Sequence, residues 1–188
     1  MNQIYKHPKR KTKVVFVQLG SPSEPTTKAL RKYLRKFLGD PRVIDINPWL
    51  WKIILNFFVL PFRPKKSAKL YARIWDGKSF PLITNTRDFT NNVREELKKI
   101  DPHGHVEVNH AFLLSPPYVN EVYDSWEEDL KKGIGATKLL VIPMFPQYSE
   151  STIASGIDAL AKELSKRVKI PTFEVITNFH RTHAFIDN

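Results

Sequence analysis

A short apolar run, two prolines and a row of hydroxyl side chains form the segment that most constrains the fold of this chain. Residues 138–142 are apolar after an initial lysine, are flanked by turn signals and have the length of a buried parallel strand. From Ile153 to Lys166, apolar residues recur at helical spacing. Strand, loop and helix in this order predict one unit of a parallel sheet. Residues 143–152 then lie at its carboxyl edge, where ligands bind in open α/β sheets.

The row of hydroxyls also suits the start of the following helix. Ser149, Ser151 and Thr152 are all good N-cap residues, and a helix N-terminus offers free N–H groups to an anionic group of a ligand. An ordinary capped loop without a ligand explains the same residues equally well. Glu150 is the carboxylate to follow as a catalytic candidate, although a carboxylate near a helix N-terminus is also favoured by the helix dipole.

Three further segments have the pattern of buried strands, namely residues 14–19, 106–113 and 171–176. Because helical patterns separate them, we predict an α/β fold with a parallel β-sheet flanked by helices on both faces. The loops that begin at Gly20 and Pro143 then lie on the same edge of the sheet, where we expect a ligand cleft.

Capping residues and turn signals predict the helices of the first half. A helix capped by Thr26 or Thr27 carries lysines and arginines on one side, which is typical of a solvated face. We predict a second helix over residues 67–75. After a brief apolar connector, a third helix is expected to begin at a cap formed by Thr86 or Asp88.

Residues 48–62 have the most unusual composition, with two tryptophans and three phenylalanines followed by a basic cluster. The stretch is too short to span a membrane, and its apolar residues do not keep to one helical stripe. Three interpretations stay open: a buried core element, a membrane-facing or substrate-gating lip, and a protein interface. The candidates for membrane contact are Trp49, Trp51, Phe57, Phe58 and Phe62.

The charge balance favours anionic partners, since 30 lysines and arginines face 19 aspartates and glutamates. These basic residues are dispersed, without zinc-finger spacing or an RNP-type aromatic motif, so we do not expect nucleic acid as a partner. The absence of cysteine excludes a disulfide framework and a thiolate metal site. Residues 1–12 form a basic tail that lacks the apolar core of a signal peptide. We therefore expect a cytoplasmic protein, with peripheral contact at the inner face of the membrane as the alternative.

No catalytic signature motif occurs in the chain. His180 and His183 are three residues apart, but no carboxylate pattern nearby completes a site, so no metal ligands are expected. His110, near the end of a predicted strand, is the histidine to follow as a catalytic candidate facing the cleft. A core histidine held by hydrogen bonds is the alternative.

Several ordered landmarks of the sequence resemble the ferrochelatase family, which inserts ferrous iron into protoporphyrin IX. They are residues 17–22, 37–45, 60–68 and 73–75, the Ser-Phe-Pro-Leu segment at 79–82, and the Pro-Gln-Tyr-Ser segment within residues 143–149 with Thr152 and Ser155. Because these landmarks keep their order over nearly the whole chain, it resembles the amino-terminal half of a ferrochelatase.

The resemblance implies one chelatase-like, doubly wound domain of the two found in the family, over residues 13–177. Residues 178–188 would then begin a truncated connection to a missing second domain. It also implies a role in haem biosynthesis, with ferrous iron and protoporphyrin IX as substrates and no tightly bound cofactor. The residues that it implies for porphyrin binding are Leu19, Gly20, Pro22, Arg73, Gln147, Tyr148, Ser149 and Thr152.

Two departures from the family pattern bear on activity. The catalytic histidine and glutamate of the family lie in its second half, so the chain alone is expected to be inactive. Many relatives also carry an Arg-Tyr pair where this sequence has Phe112 and Leu113. The alternative is a non-catalytic porphyrin-binding or membrane-associated interaction domain with the same fold. Uncovered apolar surface predicts either a homodimer or a missing carboxyl-terminal domain.

Overall fold

Four strands form one parallel sheet in the computed structural model, which describes residues 11–133 and 135–187. They are β1 (Thr12–Gln18), β2 (Val106–Phe112), β3 (Lys138–Pro143) and β4 (Thr172–Val175). Their order across the sheet is β2-β1-β3-β4, and each neighbouring pair is parallel. Helices separate the strands and cover both faces, so the predicted α/β fold class is confirmed.

The helices of the described residues alternate with these strands. They are α1 (Thr27–Leu38), α2 (Pro48–Ile54), α3 (Leu60–Tyr71), α4 (Pro81–Ile100), α5 (Val119–Lys131), α6 (Ser155–Leu164) and α7 (His183–Ile186). π-Helical turns at Leu55–Val59 and Glu150–Ala154 lead into α3 and α6. α1 begins at a predicted cap, because the Thr26 hydroxyl accepts a hydrogen bond from the Ala29 N–H at 3.2 Å.

The central strand β1 aligns the ends of its two neighbours. Val17 lies opposite Ala111 of β2 and Pro143 of β3. Beyond the strand, the Met144 N–H donates to the Val17 carbonyl at 2.8 Å, so the loop after β3 starts beside the loop after β1. This confirms that the loops at Gly20 and Pro143 share one edge of the sheet.

One face of the sheet packs against α5 and α6. Val15 and Val17 of β1 contact a core that includes Trp126 of α5 and Leu160 of α6. Trp126 is buried, and its indole Nε1–H donates to the Ala136 carbonyl at 2.7 Å, so its polar atom is satisfied inside the core.

The opposite face packs against α4. Val14 and Phe16 of β1 form a second cluster, against which Val93 and Leu97 of α4 pack. The rings of Phe16 and Phe89 meet edge to face, with centroids 5.1 Å apart. Alternate residues of β1 therefore pack against the helices on opposite faces of the sheet, as expected for a sheet that is buried on both faces.

The second predicted helix is longer than expected. The interpretation of residues 67–75 as a separate helix is wrong, since α3 begins at Leu60 and continues past Pro64. Pro64 has no N–H, so the Leu60 carbonyl four residues earlier loses its helical donor. Arg31 of α1 replaces that donor, because its Nε–H donates to the Leu60 carbonyl at 3.2 Å.

The third predicted helix also starts earlier than expected. α4 begins at Pro81, in the segment interpreted as a connector, and the predicted caps Thr86 and Asp88 lie inside it. Proline suits a first helical turn, where its missing N–H has no partner to lose. The Thr86 hydroxyl instead donates to the Leu82 carbonyl at 2.7 Å, which satisfies a buried polar group within the helix.

The described residues begin just before β1 and end just after α7. Residues 1–10 of the predicted basic tail lie outside the described residues, and β1 already begins at Thr12. Near the other end, the Phe179 N–H donates to the Pro146 carbonyl at 3.0 Å, which holds the segment before α7 against the loop after β3. No helix of the described residues is long and apolar enough to cross a membrane.

Candidate functional site

Two neighbouring clefts, each of about 300 Å³, open at the carboxyl edge of the sheet. The lysine cleft is lined by Ser21, Pro22, Ser23, Ala29, Lys32, Tyr33, Lys36, Trp75, Lys78, Ser79, Phe80, Ile83, Leu114, Ser115, Pro116 and Tyr118. The connector cleft is lined by Leu19, Phe37, Asp40, Pro41, Val43, Phe112, Leu113, Leu114, Tyr118, Val119, Asn120, Ser151, Ser155, Asp158, Ala159, Lys162, Glu163 and Lys166. Leu114 and Tyr118 belong to both, so the two clefts form one divided groove.

The loop after β1 is fixed between these clefts by a close backbone approach. Gly20 has φ +92°, and a Cβ atom at this position would lie 2.4 Å from the Ser115 Oγ. The Ser21 N–H donates to the same Oγ at 3.3 Å, and the Tyr33 hydroxyl donates to the Gly20 carbonyl at 3.4 Å. Only glycine fits here, because any side chain would be strained and would push the loop after β2 away.

Aromatic rings form one wall of the lysine cleft. The Trp75 and Phe80 rings have centroids 4.7 Å apart, and Tyr71 supports Phe80 from behind at 5.4 Å. Burial, followed by the proximity of Tyr71, raises the pKa of Tyr33, so this phenol stays protonated and neutral. The wall therefore offers flat apolar surface with neutral hydroxyl groups.

The rim of the lysine cleft is cationic. Lys32, Lys36 and Lys78 are exposed, and none of the three forms an ion pair with a carboxylate of the described residues. Lys36 instead donates from its Nζ to the Tyr118 hydroxyl at 3.1 Å, with the ammonium 4.5 Å from the ring centroid. Lys32 and Lys78 are therefore available to an anionic ligand, whereas the Lys36 ammonium is shared with Tyr118.

The carboxylates of the connector cleft are engaged by nearby donors, whereas Lys162 forms no ion pair with the described residues. The Arg42 guanidinium donates to both carboxylate oxygens of Asp158, at 2.5 Å and 3.1 Å. This hydrogen bonding holds the pKa of Asp158 below its usual value. Glu163 pairs with Lys166 at 2.7 Å, while Asp40 accepts a hydrogen bond from the Arg42 N–H at 2.9 Å. All three carboxylates are therefore engaged by donors, and Asp158 in particular is a poor proton acceptor.

The structure gathers some of the residues implied for porphyrin binding and separates others. Leu19 lines the connector cleft, Pro22 lines the lysine cleft, and buried Gly20 lies between them. Arg73 is exposed in the turn after α3 and lines neither cleft.

The predicted residues after β3 lie just outside both clefts. Gln147 and Tyr148 are exposed, and Ser149 and Thr152 are half-buried. Ser151, in the same turn, is the hydroxyl that reaches the connector cleft. Ser149 occupies the N-cap position without capping through its side chain, and its Oγ lies 3.1 Å from the Ser151 Oγ. Of the three predicted N-cap candidates, Ser149 is therefore confirmed in position, whereas Ser151 and Thr152 lie inside the π-helical turn that opens the helix.

His110 points to the α4 face of the sheet and lines neither cleft, contrary to the expected position. Its ring contacts Phe112 at a centroid distance of 5.5 Å, and its buried Nδ1 has no hydrogen-bond partner in the described residues. Burial, and then the positive charges of Arg94 and Arg87, lower the pKa of His110, so the imidazole stays neutral.

The other titratable candidates are dispersed. Glu150 is exposed, His183 is fully exposed, and the His180 Nδ1 lies 3.3 Å from the Pro146 carbonyl oxygen. Within residues 11–133 and 135–187, no three histidines or carboxylates are grouped so that they could hold a metal ion.

The basic side of α1 predicts a solvated face, and Lys32 and Lys36 are indeed exposed, but their position at the rim of a cleft was not predicted. Lys32 and Lys36 are four residues apart and share a helix face. Tyr33, three residues before Lys36, lies beside them and lines the same cleft. A tyrosine at this spacing from two lysines was the sequence signal that could have indicated the cleft. Tyr118 carried no comparable signal, since its place depends on the contact between the loop after β2 and α1.

The stretch at residues 48–62 divides its apolar side chains between two sides. Leu55 and Leu60 are buried against α1. The outer side forms what we call the lip, with exposed Trp49, Leu50, Ile53, Phe57, Phe58 and Phe62. Trp51 does not belong to it, because its indole Nε1–H donates to the Leu38 carbonyl at 2.7 Å in a half-buried position. Of the open interpretations, the core element describes only the inner side.

Comparison with sequence models of protein families matches residues 11–188 to the family described as Ferrochelatase. A ferrochelatase from Idiomarina loihiensis is 41% identical, over 93% of this chain and 46% of the relative. A ferrochelatase from Marinobacter nauticus is 37% identical, over 93% of this chain and 45% of the relative. A coproporphyrin III ferrochelatase from Streptococcus mutans is 38% identical, over 94% of this chain and 53% of the relative. The chain spans about half the length of the curated relatives it matches.

Proposed function

Because this chain belongs to the ferrochelatase family, we propose that it supplies one side of the porphyrin site of a protein that inserts ferrous iron into protoporphyrin IX in haem biosynthesis. The observation that carries the proposal is the lysine cleft, which combines an aromatic wall with unpaired ammonium groups. A porphyrin with propionate groups is a flat apolar ring that ends in carboxylates, and it matches both features.

We further propose that the chain corresponds to the amino-terminal half of this enzyme. The half-length coverage of the relatives supports it, as does the order of the motifs from residues 17–22 to residues 143–149. Gly20 of the first motif and Ser115 of the loop after β2 form the floor between the clefts. A second half would then cover the open side of the groove.

Metal insertion needs a base, because two pyrrole N–H protons leave the macrocycle as the metal enters it. The lysine cleft offers hydroxyl and ammonium groups but no carboxylate or histidine among its described lining residues. The carboxylates of the connector cleft, Asp40, Asp158 and Glu163, are engaged by basic groups or backbone N–H groups. We therefore propose that this chain binds and orients the porphyrin, while the base lies outside the described residues.

A titration of the purified chain with protoporphyrin IX, followed by ferrous iron or zinc, tests this proposal. We expect saturable binding, seen as a change in porphyrin absorbance and fluorescence, with no metallated product above the rate of a protein-free control. Absence of binding would contradict the proposed site. Turnover by the chain alone would show that it carries its own base, and Glu150 and His110 would be the first residues to replace.

A second candidate function is a non-catalytic, membrane-associated porphyrin-binding domain, and the lip favours it. Phe57, Phe58 and Phe62 are exposed on one side, and Arg63 and Lys65 follow in the chain. Aromatic residues beside a basic cluster suit the interface of an anionic bilayer. We propose peripheral contact of the lip with such a surface, at the inner face of the membrane.

Vesicle sedimentation distinguishes this contact from other uses of the lip. We expect binding to anionic vesicles and little binding to zwitterionic ones, with loss of both on Phe57→Ser/Phe58→Ser. Ile100→Ser is the matched control, because Ile100 is also exposed but lies at the end of α4. A concentration-dependent dimer that the lip variant abolishes, without vesicle binding, would assign the lip to a homodimer interface instead.

A further inference from the structure

The groove at the carboxyl edge is divided by the Tyr118 side chain. Tyr118 and Leu114 line both clefts, and no other residue does so among those that the structure describes. Leu114 belongs to a fixed loop, since its N–H donates to the Leu19 carbonyl at 3.0 Å. The partition between the clefts therefore has two parts. One is Leu114, whose backbone is hydrogen-bonded to the loop after β1, and the other is the aromatic ring of Tyr118.

The backbone of Tyr118 is anchored, whereas the polar contacts of its side chain are both with Lys36 of α1. Pro117, the preceding residue, accepts a hydrogen bond from the Phe112 N–H at 2.8 Å. The ring reaches across to α1, where the exposed Lys36 binds its hydroxyl and lies over its face. Tyr118 is half-buried and makes no side-chain capping bond to α5. Rotation about its first side-chain torsion thus costs one exposed hydrogen bond and one cation–π contact.

Each cleft alone is small for a tetrapyrrole. A volume of about 300 Å³ is at the lower end of the range of about 300–1,000 Å³ found for ligand pockets. A tetrapyrrole with its substituents is larger than an ordinary drug-sized ligand, whereas a dipyrrole is half its size. A flat macrocycle can lie along α1 and occupy both clefts only if the Tyr118 ring moves out of the space between the two clefts.

We infer that Tyr118 is the size-determining residue of the groove: its ring, latched by Lys36, closes the passage between the two clefts and must swing aside for a macrocycle to bind. This inference rests on the proposed porphyrin-binding function and adds the residue that limits ligand size. Release of Tyr118 also frees the Lys36 ammonium, which can then pair with a carboxylate of the ligand.

Stopped-flow fluorescence with two ligands tests the inference. Protoporphyrin IX is the macrocycle, and a dipyrrole monocarboxylic acid is the probe that fits one cleft. Tyr118→Ala is expected to raise the association rate constant of the macrocycle by about tenfold. The reason is that most molecules of the unchanged chain have the passage closed by the Tyr118 ring, and the variant has no such closed state. The association rate of the dipyrrole should stay unchanged. Tyr118→Phe, which keeps the ring and its cation–π contact but loses the hydrogen bond to Lys36, should give a smaller increase for the macrocycle alone.

Lys28→Met is the matched control on α1, because Lys28 is exposed and lines neither cleft. Lys36→Met removes both contacts to Tyr118 together with the charge offered to the ligand, so it should speed macrocycle association but also speed its dissociation, whereas Lys28→Met should behave like the unchanged chain. Equal macrocycle rates in the unchanged chain, Tyr118→Ala and Tyr118→Phe would overturn the partition while leaving porphyrin binding intact. Equal gains for the macrocycle and the dipyrrole would also overturn it, since the ring would then not select by size. If neither the unchanged chain nor Tyr118→Ala binds the macrocycle, the proposed function fails and the inference falls with it.

Discussion

The amino and carboxyl edges of the sheet use their positive charges differently. Near the amino edge, the buried Lys13 ammonium lies 3.2 Å from Glu107 and 3.7 Å from Asp129. Arg167, which follows α6, has carboxylates around it and is only 15% exposed. Its partners are Asp124 at 2.6 Å, Glu127 at 3.0 Å and Glu163 at 3.7 Å.

At the carboxyl edge, the lysines that line the lysine cleft have no carboxylate partner in the described residues. The comparison shows that the fold neutralises the cations it encloses and leaves the lysines of the lysine cleft without carboxylate partners. A cation enclosed with its partners contributes to stability, whereas an exposed and unpaired one adds little to stability and can serve a ligand. This separation predicts different phenotypes for substitutions at the two edges.

The largest effect on stability is expected from Arg167→Ala. The change leaves the carboxylates of Asp124, Glu127 and Glu163 without their shared guanidinium, which lies 5.5 Å from the Tyr123 ring centroid. We expect a loss of about 2 kcal/mol in the free energy of unfolding, the size measured for hydrogen bonds to charged groups. Urea unfolding measures it, with exposed Lys131→Ala as a control that should change the free energy by less than about 0.5 kcal/mol. Porphyrin affinity should be the same in both variants. A loss of porphyrin affinity in Arg167→Ala alone would contradict the claim that the enclosed cations serve stability and not ligand binding.

A backbone substitution tests whether the groove depends on the contact between its two loops. Gly20→Ala places a methyl group against Ser115 at a positive φ and should cost about 2 kcal/mol. Gly77→Ala is the matched control, because Gly77 also has a positive φ (+95°) but nothing within 4 Å of the added carbon. It should cost only about 1 kcal/mol, the price of the backbone strain. Equal losses for the two variants in urea unfolding would show that the loop contact does not matter.

The comparison is sharpened by replacing a lysine of the groove. Lys32→Gln should leave the free energy of unfolding within about 0.5 kcal/mol of the unchanged chain, because the ammonium has no intramolecular partner to lose. It should weaken protoporphyrin binding by about fivefold, the scale of one exposed charge pair. Lys28→Gln, on the same helix but outside both clefts, should bind like the unchanged chain. A melting temperature that falls for Lys32→Gln but not for Lys28→Gln would contradict the claim that the lysines of the lysine cleft add little to stability.

The smallest effect concerns Arg42 and Asp158, which form an ion pair beside the connector cleft. Because Arg42 lowers the pKa of Asp158 in the folded chain, the pair stabilises the fold above the unfolded pKa of about 3.9. That contribution is lost as the pH falls through the lower, folded pKa. Asp158→Asn should therefore be slightly less stable than the unchanged chain at neutral pH and equal to it in strong acid. A difference that persists in acid would show that the pair is not responsible.

The sheet was predictable because its strands carry dense local signals. The apolar runs of β1 and β3 and the turn residues after them fix both the strands and the edge that their loops share. The start of α4 at Pro81 was missed because a proline next to a phenylalanine also suits a connector. The continuity of α3 across Pro64 depends on Arg31, a donor that no local pattern reveals.

The groove was less predictable than the sheet. Leu19, Gly20 and Pro22 were found because they follow β1 directly. The basic side of α1 looks the same in sequence whether it faces solvent or a cleft, and only the packing of α1 beside the loop after β2 decides it. Exposure of the lip likewise depends on how the helix is rotated about Leu55 and Leu60, since its apolar residues follow no single stripe.

Binding of protoporphyrin IX and of its dimethyl ester, measured by fluorescence titration on the unchanged chain, tests the central claim most directly. The ester keeps the flat ring and removes both negative charges. If the unpaired lysines of the groove hold the propionates, the free acid should bind about tenfold more tightly than the ester, and Lys32→Gln should narrow that ratio. Equal affinities for acid and ester, unchanged in Lys32→Gln, would contradict the account.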